Sequence, residues 1–93
     1  MIQSFGDKDT EDIFDNVHVR KYAPELQNTA RRKLRMLDIA GRIENLRVPP
    51  NNRLEKLHGD LKGLWSIRVN QQYRIIFRWK DADAYDVRLI DYH

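Results

Sequence analysis

Apolar residues change their spacing about two-thirds of the way along the chain. Leu26, Ala30, Leu34, Leu37 and Ala40 recur every three or four positions, the repeat of one helix face. From Trp65 onward the interval is two: Trp65, Ile67 and Val69 alternate with Ser66, Arg68 and Asn70, and Tyr73, Ile75, Phe77 and Trp79 alternate with Arg74, Ile76, Arg78 and Lys80. That period predicts two strands, each with an apolar and a basic face, and a meander would lay Arg68, Arg74 and Arg78 on one side of a sheet. In a third run Tyr85, Val87 and Leu89 alternate with Asp86, Arg88 and Ile90. This puts Tyr92 on the Arg88 side and turns Asp91 and His93 the other way, unless the strand bulges or frays near its end.

Upstream, Ile2 to Phe5 suggests a short first strand. D-T-E-D-I-F then opens a short helix, with Asp9 as N-cap and Glu11 and Asp12 suited to the positive end of its dipole. Pro24 occupies the first position of a long helix that meets no breaker before Gly41. Its apolar stripe is backed by an opposite stripe of Arg31, Arg32, Arg35 and Arg42, and Ile43 and Leu46 continue a last turn until V-P-P-N-N stops it. R-L-E-K-L-H-G-D-L-K-G-L, with two glycines, is expected to be a loop. It carries Arg53, Lys56, His58 and Lys62 to one end of the sheet.

With 93 residues the chain has room for one domain, spanning 1–93, and one core. It has no cysteine, which removes disulfides and thiolate-bound metal. No apolar run approaches the ~20 residues of a membrane span, and the acidic start is unlike a signal peptide; a cytoplasmic location is expected, with no membrane partner. The formal charge of +3 conceals a pattern, because residues 1–19, 20–80 and 81–93 carry −4, +10 and −3. A basic middle of that kind attracts polyanions, although a solvated surface is the plainer explanation.

The three histidines, His18, His58 and His93, are far apart, and neither H-x-x-x-H nor paired carboxylates appear. No metal or other cofactor is therefore expected, and neither a phosphate-binding glycine loop nor a nucleophile elbow is present. What remains is acid–base chemistry by Arg, His, Tyr and Asp. RNA cleavage can run on such a set, since the nucleophile is the substrate's own 2′-hydroxyl. The protein must supply a base, an acid for the departing 5′-oxygen, and cations for the phosphorane. Arg74 suits the last role through planar contact with phosphate. His93 and His58 have intrinsic pKa values suited to proton transfer. Tyr92 can serve as base, acid or stacking surface, and Asp91 can orient a histidine. Each has an ordinary alternative: Arg74 paired with an acid across the sheet, Tyr92 closing a core edge, the histidines merely solvated.

I-Q-S-F at the start, L-E-K-L-H-G-D-L-K-G-L-W-S-I-R-V-N-Q-Q-Y-R-I-I-F-R-W in the middle and L-I-D-Y-H at the end resemble the HigB branch of the RelE/ParE superfamily of toxin–antitoxin toxins. The resemblance runs nearly end to end. It implies an α+β, RelE-like fold of the microbial-ribonuclease type, with two N-terminal helices packed on one face of a small, largely antiparallel sheet. It also implies metal-independent endonucleolytic cleavage of mRNA in the ribosomal decoding site, inhibition of translation and growth, and neutralisation by a HigA-like helix-turn-helix antitoxin through which alone operator DNA would be contacted. Asp91, Tyr92 and His93 match the family's terminal catalytic motif, and Arg74 its phosphate-binding arginine. K-L-H matches one HigB pattern with a functional histidine at His58, whereas alignment on G-D places His58 where many relatives carry Lys. Lys56, Lys62, Arg68 and Arg78 are RNA-contact candidates by position and charge. A binding-class alternative inhibits ribosomes or their assembly by occupancy, and a gyrase-directed activity, as in the ParE branch, is disfavoured by D-Y-H.

Overall fold

The computed structural model describes residues 1–92. Helix α1 spans Lys8–Phe14 and is capped by Asp7, whose carboxylate accepts the Thr10 N–H at 2.7 Å. The expected cap, Asp9, instead lies in the first turn, because the extended backbone at residue 7 starts the helix two positions earlier. That register turns Thr10 inward, where its hydroxyl accepts the Leu89 N–H at 2.9 Å.

Helix α2 spans Pro24–Ile39 and stops short of Gly41 because Ala40 is already extended. Ala30, Leu34, Leu37 and Ala40 are buried as the spacing predicts. On the other stripe Arg32, Arg35 and Arg42 are exposed, but Arg31 donates through Nε to the Ile13 carbonyl at 2.8 Å and so fastens the end of α1 to α2. Ile43–Arg47 forms a 3-10 turn in place of a further α-helical one.

The sheet contains β1 (Glu55–Lys56), β2 (Trp65–Arg68), β3 (Tyr73–Lys80) and β4 (Asp83–Asp91), antiparallel and in chain order. The segment expected to be a loop thus contributes an edge strand and a 3-10 turn at Gly59–Leu61. The outer edge of β4 is covered by the N-terminal residues. These make isolated parallel bridges, Ile2 to Ala84 and Phe5 to Val87, in place of the expected strand. Gln3 and Gly6 each donate to that edge at 2.8 Å, which occupies groups an exposed strand would leave open.

A bulge in β4 overturns the simple alternation there. Ile76 lies opposite Arg88 and Arg78 opposite Tyr85, so Asp86, left-handed at φ 55°, is the additional residue. Ala84 then faces the core instead of Tyr85. The Tyr85 ring joins the Arg78 side, 5.0 Å from its guanidinium carbon.

Both helices pack on one face of the sheet, where Ile13, Ala30, Leu34 and Leu37 meet Ile67, Ile75, Phe77, Val87 and Leu89. Burying this apolar set supplies the main drive for folding. Ser66, Arg74 and Ile76 alternate onto the other face and are nevertheless buried. That face is accordingly not the open basic surface the alternation suggested.

Candidate active site

Arg68 and Arg74 lie directly opposite one another on β2 and β3. Like charges on facing positions destabilise a sheet unless something compensates. The compensation comes from Ser66 on β2, Glu55 on β1 and the carbonyl of Arg53, two residues before β1. Arg74 is only 6% exposed; its Nη1 donates to Ser66 Oγ at 2.6 Å and meets Glu55 Oε2 at 3.3 Å, while Nη2 donates to the Arg53 carbonyl at 3.2 Å. Three partners on three elements hold one guanidinium. Arg68 turns aside and donates through Nε to the Asn70 carbonyl at 3.0 Å.

The β2–β3 hairpin is shaped by Asn70, whose side-chain oxygen accepts the N–H groups of Gln72 and Tyr73, both at 2.8 Å. This turn brings Asn70 and Gln71 into the lining of a cavity of about 260 Å³, together with Arg53, Glu55, Arg68, Arg74 and Tyr92. Tyr92 is carried there because its N–H still bonds the Gln72 carbonyl at 2.7 Å, one step beyond β4. Its ring lies 5.3 Å from the Arg74 guanidinium carbon, so it takes the side the alternation predicts. Three guanidiniums, one carboxylate and a phenol therefore surround the space. Its excess positive charge suits an anionic ligand with a flat group to stack.

Of the residues the sequence singled out, Arg68, Arg74 and Tyr92 are brought together here. Asp91 faces the helix side: it pairs with Tyr73, whose ring packs edge-on against Tyr22, and its carboxylate accepts from Gln72 Nε2 at 3.0 Å. His93 lies outside the described residues. His58 is exposed ahead of the Gly59–Leu61 turn and does not line the cavity. Lys56 sits on β1 with its ammonium 5.6 Å from the centre of the Trp65 ring, and Lys62 is exposed beyond the turn. Arg78 pairs with Asp86 at 3.1 Å. It lies four residues along β3 from Arg74, about 13 Å at strand spacing. Among the described residues no group of three His, Asp or Glu side chains is placed to hold a metal ion.

Sequence reasoning passed over Glu55 and Ser66 and assigned Arg53, Asn70 and Gln71 no role in the site. Ser66 was visible in principle, since alternation along β2 puts it on the Arg68 side. Glu55 gave only the signal of an acid within a basic stretch.

A family model described as the HigB RelE-like toxin of type II toxin–antitoxin systems matches residues 3–93. Toxin HigB-1 of Vibrio cholerae is 43% identical over 90 residues, covering 96% of this chain and 95% of that one. Endoribonuclease HigB of Proteus vulgaris is 32% identical, with full coverage of both. The toxin–antitoxin complex YoeB–YefM from Staphylococcus aureus contains a chain similar in fold, with TM-score 0.63 at 15% identity, covering 100% of this chain and 98% of that one.

Proposed function

The chain belongs to the HigB-like toxins, the RelE-like toxins of type II toxin–antitoxin systems, and from that premise we propose that it is an endoribonuclease that cuts mRNA on the ribosome by metal-independent acid–base chemistry. One observation carries the reading: Arg74, held by Ser66, Glu55 and the Arg53 carbonyl, stands beside the Tyr92 ring in a cavity of net positive charge. A 2′-oxygen attacks the adjacent phosphorus, its proton passes to a base, and the P–O5′ bond breaks as an acid protonates the 5′-oxygen. The products are a 2′,3′-cyclic phosphate and a 5′-hydroxyl.

Arg74 stabilises the charge that builds on the phosphorane. Glu55, half-exposed and already at the guanidinium, is displaced from it by phosphate and is positioned to receive the 2′-proton. Tyr92 stacks on a base or transfers a proton, and His93 is assigned the second proton transfer, with Asp91 orienting it. Arg68 contacts the backbone, and Lys56, Lys62 and Arg78 extend the basic track beyond the cavity. His58 acts at most on the approach of RNA. Residues 1–93 constitute one cytoplasmic toxin domain. Its partners are the ribosome, mRNA and a HigA-like helix-turn-helix antitoxin, with operator DNA reached only through that antitoxin.

Expression of Arg74→Ala or Tyr92→Ala without antitoxin tests the assignment: each should relieve growth arrest while the protein stays folded. Full toxicity of both would overturn it. Because His58 stands outside the cavity, inhibition by occupancy is the second reading. Intact mRNA together with altered ribosomal particles on induction would establish that instead.

A further inference from the structure

The basic cluster on α2 contains one residue that does not behave like its neighbours. Arg32 and Arg35 are exposed, whereas Lys33 is 4% exposed. Among the described residues it forms no ion pair with an acid. Its ammonium donates to Oδ1 of Asn52, itself fully buried. Burial, and secondarily the nearby Arg32, lowers its pKa from the ordinary 10.5. A lysine in this position costs stability that an apolar residue of similar length would not.

The use of that arrangement follows from what Asn52 does with its other end. Its amide nitrogen donates to the Leu46 carbonyl at 3.1 Å and touches Met36 Sδ at 3.1 Å. One amide thereby ties α2 to the turns that precede β1. The next residue, Arg53, is left-handed at φ 45° and ψ 55°, a conformation uncommon for a non-glycine residue, and its N–H bonds the Pro50 carbonyl. Its carbonyl receives Arg74 Nη2, and two residues later Glu55 receives Nη1.

We propose that Lys33 is a positioning residue for the RNA site: by holding Asn52 it fixes the left-handed turn at Arg53, and through that turn it orients Arg74. The inference rests on the reading of the cavity as the site of RNA cleavage. It gives the buried face of α2, which does not line the cavity, a role in the rate of the chemical step and none in RNA contact.

The test is a double-mutant cycle on cleavage of ribosome-bound mRNA, with Lys33→Met placed in the wild-type chain and in Arg74→Lys. Methionine keeps the length and burial and removes the donor. In the wild-type background kcat should fall roughly ten- to a hundredfold with KM little changed, as misplacement of a catalytic group by about 1 Å does. In Arg74→Lys the same substitution should change kcat by less than about twofold, because the group it acts through is gone. Equal losses in the two backgrounds, a change confined to KM, or no loss in wild type would overturn the inference while leaving the proposed function intact. Undiminished cleavage by Arg74→Lys itself would overturn both. Should Lys33→Met fail to fold, Asn52→Asp replaces it. The carboxylate keeps Lys33 and loses the donor to Leu46, and the same non-additivity is expected and the same additivity refutes.

Discussion

Ser66→Ala removes one hydroxyl and nothing larger. Ser66 is fully buried and its Oγ accepts from Arg74 Nη1 at 2.6 Å, the shortest of the bonds to that guanidinium. A hydrogen bond to a charged group contributes about 1.5–3 kcal/mol, and the void left by one oxygen adds little. Stability in urea should fall by about that amount, with an unchanged m-value because no additional surface is exposed. The same loss slackens the cation that meets the phosphorane. If even ~1.4 kcal/mol of it reappears in the transition state, cleavage falls about tenfold. The two measurements are therefore linked: urea titration of the purified variant and single-turnover cleavage of ribosome-bound mRNA. A stability change under about 0.5 kcal/mol, the level of an ordinary surface substitution, together with undiminished cleavage would refute the view that Arg74 is oriented by its partners.

Phe77→Ala deletes the largest fully buried side chain among the described residues and should cost about 3–5 kcal/mol in urea denaturation, a large share of the roughly 5–15 kcal/mol of an ordinary domain. Asp7→Ala should cost about 1 kcal/mol through loss of the α1 cap, whereas Asp9→Ala should not act on the cap at all. Lys33 predicts a pH dependence: its pKa is lowered by folding, so below 10.5 the unfolded chain binds more protons, and stability rises as pH increases through the window beneath that value. Denaturation of wild type and Lys33→Met along a pH series should show wild type gaining on the variant toward alkaline pH. A flat or opposite difference would contradict the assignment.

Much of the frame was legible because it depends on periodicity. Leu34 and Leu37 declared the inner face of α2, Ile75 and Phe77 that of β3, and the same period of two put Tyr92 on the Arg88 side of its strand, the face on which the structure shows it 5.3 Å from the Arg74 guanidinium carbon. What the pattern could not show is what closes over a face. Arg74 looked like one of three cations on an open surface, yet β1 and the Arg53 turn bury it, and nothing in the spacing of Glu55 announces a two-residue strand. The bulge at Asp86 was equally invisible, since inserting one residue erases the alternation that would reveal it. Lys33 belongs to the same class: three residues after Ala30 and four before Leu37, its position lies on the apolar stripe, its residue type argues for solvent, and only the distant Asn52 makes that inner position tenable.

The central claim is that Arg74 and Tyr92 meet around a single RNA phosphodiester. Mapping mRNA 5′ ends after brief induction, in wild type and in Arg74→Ala at equal levels of folded toxin, tests it most directly. New ends inside coding sequences with wild type and their loss in Arg74→Ala are predicted. The same ends at undiminished frequency in Arg74→Ala, or growth arrest by wild type with no new ends, would contradict it.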